Sequence, residues 1–121
     1  MARIIDLVTY TDQKGNLTVI EKVIPFTIKR IFYIYGVDSS VRGGHRHKTT
    51  VQAAISIKGS CRILNHNGSL EEEFMMDQPS KCLILNPEDW HLMDEFSEDA
   101  ILMVLASTDY DPDDYIFSPY L

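Results

Sequence analysis

The chain has 121 residues, enough to bury one core but not two. Hydrophobic residues make up 45% and charged residues 24%, which excludes a disordered or low-complexity chain. The net charge of −7 argues against non-specific nucleic-acid binding, which needs clustered Lys and Arg, although a local Arg pocket still suits an anionic small ligand.

The N-terminal run Met1-Ala2-Arg3-Ile4-Ile5-Asp6 is too short and too charged for a signal peptide. No stretch approaches the about 20 apolar residues of a membrane span. The expectation is a cytoplasmic protein with no membrane partner. Cys61 and Cys82 show neither CxxC spacing nor an even framework, so they read as two reduced thiols buried in strands.

In chain order, most segments read as strands. Gln13-Lys14-Gly15-Asn16 separates two short ones. Lys29 to Tyr35, rich in aromatic and β-branched residues, is a third. Val37 to Gly44 reads as a loop rich in Asp, Ser and Gly. Val51 to Ile57 alternates, and Lys58-Gly59-Ser60 then turns the chain. Cys61 to Leu64 runs into Asn65-His66-Asn67-Gly68, where Asn-Gly is a strong hairpin signal because both residues tolerate positive φ. His66, within that turn, reads as solvent-exposed. Leu70 to Met76, Lys81 to Leu85, His91 to Phe96 and Ala100 to Ala106 follow as strands. Only Asp109 to Tyr115 looks helical, with Asp111 as N-cap and Pro112 at the first helical position. So many short strands with so little helix imply an all-β sandwich or barrel, a single domain over residues 1–121.

The unusual segment is Arg42-Gly43-Gly44-His45-Arg46-His47-Lys48. Residues i and i+2 of a strand share a face, so His45 and His47 point one way and Arg46 the other. Gly43 and Gly44 let the backbone bend or let a ligand approach. Pro87-Glu88-Asp89-Trp90-His91 offers another histidine after a turn. Two histidines on one face after a Gly-Gly bend are hard to explain by packing alone. A lone histidine such as His91 more often satisfies nearby backbone groups.

This pattern resembles the two cupin motifs, with His45, His47 and Gly59 in the first and Pro87 to His91 in the second. The resemblance implies a cupin jelly-roll barrel. Gln52 stands where a metal-binding cupin carries Glu, and a neutral amide is a poor substitute for a carboxylate ligand.

A closer resemblance covers nearly the whole chain. Ile28 to Tyr35, the Arg-Gly-Gly-His-Arg-His-Lys block, Lys58 to Arg62, Trp90-His91, Met103 to Ser107, Asp109-Tyr110 and Asp114-Tyr115 are together similar to the sugar 3,4-ketoisomerases of the WxcM-like cupins. Relatives usually carry Ala between the two histidines, so Arg46 departs from the pattern. The resemblance implies a metal-independent isomerase without cofactor. Its substrate is a dTDP-linked keto-sugar, dTDP-4-keto-6-deoxy-D-glucose, on the route to 3-amino-3,6-dideoxyhexoses of lipopolysaccharide or S-layer glycans. It implies His47 as the base at C3 and His45 as its proton-shuttling partner. It also implies a homodimer with exchanged N-terminal strands.

Histidine suits both roles because its ordinary pKa lies near neutrality. Arg42, Arg30, Tyr33, Tyr35, Gln52, Trp90 and His91 are the remaining candidates for the substrate site. Tyr33 and Tyr35 share one strand face and Arg30 the other, so they cannot all line one pocket. Trp90 suits either a sugar or thymine ring or a core anchor. The rival reading is a metal-dependent small cupin, a dioxygenase or metal-assisted isomerase, that uses His45, His47 and His91.

Overall fold

The computed structural model describes residues 2–120. Met1 and Leu121, the ends of the single domain read from the sequence, lie outside the described residues. Twelve strands are present among the described residues, and every pairing is antiparallel. One five-stranded sheet has the order β1 (Arg3–Asp6), β9 (Lys81–Leu85), β6 (Gln52–Lys58), β11 (Ile101–Ala106) and β4 (Arg30–Tyr35). The second has the order β12 (Tyr115–Ile116), β5 (Arg42–His47), β10 (Trp90–Asp94), β7 (Cys61–His66) and β8 (Glu71–Met76). Strands β2 (Val8–Asp12) and β3 (Gly15–Val19) form a separate hairpin. The two large sheets face each other as a jelly-roll barrel, the cupin architecture that the motif resemblance implies.

The alternation of each strand decides what lies between the sheets. Ile34, Ala54, Leu83, Leu102 and Val104 from the first sheet meet Cys61, Ile63, Met76 and Met93 from the second. A second cluster sits on the outer face of the first sheet. There Ala53, Ile55, Cys82, Ile84 and Leu105 are covered by Leu7 and by Ile20, Val23, Ile24 and Phe26. The first sheet is thus buried on both faces, which is why β6 and β9 read as nearly continuous apolar runs. Both cysteines are free and buried, one in each cluster.

Three local expectations change. The segment read as a loop up to Gly44 becomes strand from Arg42 onward. Gly43 and Gly44 both take φ near +80°, and the register with β10 slips between His91 and Leu92. This is a β-bulge built from two residues that tolerate left-handed backbone. The helical tail shrinks to a single 3-10 turn over Pro112–Asp114, capped by Asp111 as expected, after which the chain extends into β12. The hairpin at Asn67-Gly68 forms, but His66 closes β7 opposite Glu71, and its ring lies 5.4 Å from that of Tyr120 instead of facing open solvent.

Candidate active site

Strands β5 and β10 run side by side, with His45 directly opposite His91. The alternation of β5 turns His45 and His47 inward and Arg46 outward, and that of β10 turns His91 and Met93 inward. The three imidazoles converge, with ring centres 5.0 Å apart for His45–His47, 5.2 Å for His45–His91 and 6.4 Å for His47–His91. His45 and His91 line a cavity of about 160 Å³ between the sheets, with the His47 ring beside theirs. Arg42, His45, Gln52, His91 and Tyr115 supply its polar lining. Phe32, Ile34, Ala54, Ile63, Leu85, Met93 and Val104 make an apolar floor.

His47 is 3% exposed, and its Nδ1 lies 2.9 Å from Oδ2 of Asp114. A carboxylate only accepts, so Nδ1 carries the proton and donates it. Nε2 of neutral His47 is therefore left with its lone pair, and it is buried without a hydrogen-bond partner. Asp114 is itself fully engaged. Its Oδ1 accepts from the Thr49 amide at 2.9 Å and the Thr49 hydroxyl at 2.8 Å, and its Oδ2 accepts from the Thr50 hydroxyl. Burial pushes the Asp114 carboxyl upward, but the hydrogen bonds from Thr50, Thr49 and His47 more than offset it and hold the group well below the usual carboxylate range. Asp114 is thus a fixed negative charge behind His47.

Burial lowers the pKa of His47, against the hydrogen bond and charge of Asp114, and the Arg30 charge adds to the lowering. His45 has no carboxylate partner. Burial pushes it down to about 4, His91 and His47 contribute in the same sense, and a hydrogen bond to the Gly43 backbone opposes them. His91 is 1% exposed and is also pushed down to about 4 by burial, although its Nδ1 donates to the Asp89 carbonyl at 3.0 Å. That bond fixes the tautomer of His91, and its Nε2 likewise has no partner. The turn before it is braced by Asp89, which is fully buried and accepts from Asn65 at 3.0 Å and from the Asn86 amide at 2.7 Å.

Arg42 and Gln52 line the cavity, Gln52 from β6 and 4% exposed. Arg30 lies on the inner face of β4 with Phe32, its guanidinium 5.5 Å from the Phe32 ring centre and 5.7 Å from that of Tyr110. Its Nε is buried and unpartnered. Tyr33 and Tyr35 are on the opposite face, stacked on each other and 63% and 68% exposed. They do not line this cavity, because alternation along β4 gives that face to Phe32 and Ile34. Trp90 also points outward from the barrel, where its indole N–H donates to the Phe117 carbonyl at 3.1 Å.

Sequence reasoning gave Asp114 and Tyr115 no role of their own. Tyr115 pairs with His47 across β12 and β5, and its ring centre lies 4.7 Å from both His45 and His47. The pair stands among the segments that carry the family resemblance, but nothing local shows that it faces the histidines, since it meets them from the far end of the chain. Among the described residues no group of three or more His, Cys, Asp and Glu side chains is arranged to hold a metal ion.

The fold and the site define a jelly-roll protein built around a histidine–carboxylate pair, a constellation suited to moving protons on a small ligand. The family model FdtA, described as WxcM-like, C-terminal, matches residues 1–120, and the chain belongs to that family. It is 40% identical over 117 residues to the TDP-4-oxo-6-deoxy-alpha-D-glucose-3,4-oxoisomerase of Aneurinibacillus thermoaerophilus, covering 94% of this chain and 84% of that protein. A 3,4-ketoisomerase from Helicobacter canadensis superposes with a TM-score of 0.92 at 36% identity, covering 97% of this chain and 90% of the other. A histidine-to-asparagine variant of the QdtA 3,4-ketoisomerase from Thermoanaerobacterium thermosaccharolyticum, solved in complex with TDP-4-keto-6-deoxyglucose, superposes with a TM-score of 0.93 at 38% identity, covering 97% and 87%.

Proposed function

We propose that this chain is a TDP-sugar 3,4-ketoisomerase that acts on TDP-4-keto-6-deoxyglucose, with His47 as the base. The observation that carries the reading is the bare, buried Nε2 of His47, backed across the ring by Asp114. The names of the relatives supply the substrate class.

The reaction moves a carbonyl from C4 to C3. The C3–H bond is acidified by the adjacent C4 ketone. His47 Nε2 takes the C3 proton, and the electron pair of that bond forms the C3–C4 double bond of an enediolate with the charge on O4. The resulting imidazolium is stabilised by Asp114, which does not itself need to be protonated. Protonation at C4, with the O3 proton passed to O4, then gives the C4 alcohol and the C3 ketone. His45 lacks a carboxylate and stays neutral, so it suits proton relay between O3 and O4 better than holding a positive charge. Arg42, Gln52 and His91 face the same space and supply donors or acceptors for the sugar oxygens. Arg30, beside His47, adds positive charge for the enediolate or for a substrate phosphate. The apolar floor fits the methyl group of a 6-deoxy sugar.

Tyr33 and Tyr35 take a different place in this reading. With Ile31 they make an exposed apolar face on β4, the last strand of its sheet. An unpaired edge of this kind suits a second copy of the chain, and the β2–β3 hairpin, which joins neither large sheet, suits exchange between the two. The proposed assembly is a homodimer. Light scattering checks it, and replacing Tyr33 and Tyr35 together with Lys is expected to yield monomer. The free buried thiols fit a reducing compartment, and the cytoplasm is the proposed location. No helix among the described residues is long and apolar enough to cross a membrane.

The test is incubation with TDP-4-keto-6-deoxyglucose in deuterated buffer, followed by NMR of the ring protons. Appearance of the 3-keto sugar with deuterium at C4 is expected, and His47→Asn is expected to abolish both. Absence of product and of exchange in the parent chain would refute the assignment. The metal-dependent alternative predicts stoichiometric Fe, Mn, Ni or Zn in the purified protein and loss of turnover with a chelator.

A further inference from the structure

Arg46 stands between the two site histidines and points away from them, and the reaction gives it no task. Its guanidinium lies 4.9 Å from the ring centre of Tyr120. Its Nε is buried and has no hydrogen-bond partner, so the stacked ring is the interaction that the structure records for that cation. Tyr120 sits in a built notch. Its hydroxyl donates to the Glu88 carbonyl at 2.9 Å, and its ring leans on His66 at 5.4 Å. It also covers Gly68, where an added Cβ would stand 3.3 Å from the ring. Strand β5, the end of β7, the β7–β8 loop and the turn before β10 therefore all grip one side chain near the chain end.

The segment between Tyr115 and Tyr120 is a strap that runs past the outer side of His45, where Tyr115 and Phe117 share a depression with it. Phe117 is 66% exposed, yet its ring is 6.2 Å from His45 and 6.1 Å from Tyr115, nearly parallel to the latter. A ring so exposed gains little from burial where it stands. It is held through its backbone, by the Trp90 indole on its carbonyl and by the two-residue pairing of Tyr115 and Ile116 with His47 and Arg46. Those anchors are few and short, and Tyr120 is the last one, three residues beyond Phe117.

We propose that Arg46 and Tyr120 are positioning residues that clamp the C-terminal strap, so that Phe117 and Tyr115 form the wall of the site on the His45 side. The clamp acts on substrate capture rather than on the proton transfer, because neither residue reaches the cavity. This inference rests on the ketoisomerase reading for its kinetic consequence, but not for its structural one.

The experiment compares the full chain with Arg46→Ala, Arg46→Lys and Tyr120→Ala by hydrogen exchange over residues 115–120 and by steady-state kinetics. Loss of the stacked cation is expected to speed exchange across the strap about tenfold and leave the barrel strands unchanged. KM is expected to rise about fivefold in Arg46→Ala with kcat within about twofold. Arg46→Lys is expected to restore part of both effects, because it keeps the cation without the planar group. Unchanged exchange in both Arg46→Ala and Tyr120→Ala would overturn the clamp. A loosened strap with KM unchanged would reduce the pair to a structural role and overturn the positioning proposal. If Arg46→Ala does not fold, Arg46→Lys and Tyr120→Ala carry the same two readouts. A parent chain without ketoisomerase turnover would refute the functional reading, while the exchange data would still decide whether the clamp exists.

Discussion

Replacing Asp114 with Asn exchanges one carboxylate oxygen for an NH₂ group and tests the whole proton-transfer arrangement. Four donors converge on the two carboxylate oxygens: the Thr49 amide and hydroxyl on Oδ1, and the Thr50 hydroxyl and His47 Nδ1 on Oδ2. The Thr49 amide cannot reverse its role, so the Asn carbonyl must face it. The Asn NH₂ then faces Thr50 and His47. Thr50 can rotate, because its hydroxyl also lies 2.7 Å from that of Thr108. Neutral His47 can respond only by moving its proton to Nε2, which converts the unpartnered nitrogen from base to donor. The expected loss in kcat is about 10²–10⁴-fold, or about 2.7–5.5 kcal/mol of transition-state stabilisation. Asp114 also raises the pKa of His47 against burial, so its removal moves the acid limb of any residual activity to lower pH. The assay is deuterium incorporation followed by NMR across pH 4–8, with circular dichroism to establish that the variant is folded. A folded Asp114→Asn variant with kcat within about threefold of the parent would show that His47 does not depend on this tautomer.

Three further outcomes are expected. The activity of the parent should rise with pH through a midpoint below the ordinary histidine value of 6.5, because burial lowers the pKa of His47 and only its neutral form accepts a proton; a rate that falls over this range instead would contradict the base assignment. Stability should decline as pH falls from 6.5 towards 4, because native His91 stays neutral down to about 4 while the unfolded chain protonates it near 6.5. The unfolded state then binds more protons, at about 1.4 kcal/mol per pH unit for this one group, and urea denaturation of His91→Gln should show a correspondingly shallower dependence. Gly43→Ala puts a Cβ 3.1 Å from the His91 carbonyl at φ +80°, so a cost of at least about 1–2 kcal/mol is expected, read as a melting temperature lower by about 5 °C or more. An unchanged melting temperature would mean that the bulge relaxes freely.

The alternation of β5 was legible from the spacing of two histidines around Arg46, because a strand's two-residue period depends on nothing outside the strand. The same period correctly separated Arg30 from Tyr33 and Tyr35, but it could not say which face was inside. That was decided by which side of β4 the second sheet covers. The Asn-Gly hairpin and the Asp111 cap were also readable, since both are local hydrogen-bonding devices. The tail's helical signal extended too far, because pairing of Tyr115 and Ile116 with β5 outweighs a few residues of helix propensity.

The sequence by itself thus determined an all-β chain with two histidines on one strand face, and its resemblance to the cupin motif marked Gln52 as the place of an absent carboxylate. Tertiary structure alone decided how those histidines differ. Asp114 stands behind His47 and not behind His45, and the two residues are 67 positions apart in the chain. Trp90, a candidate for the ligand, instead faces outward and holds the strap that walls the site. Short-range patterns fix the direction of a side chain relative to its own strand. The partner that sets its charge, tautomer and task arrives only when distant strands close the barrel.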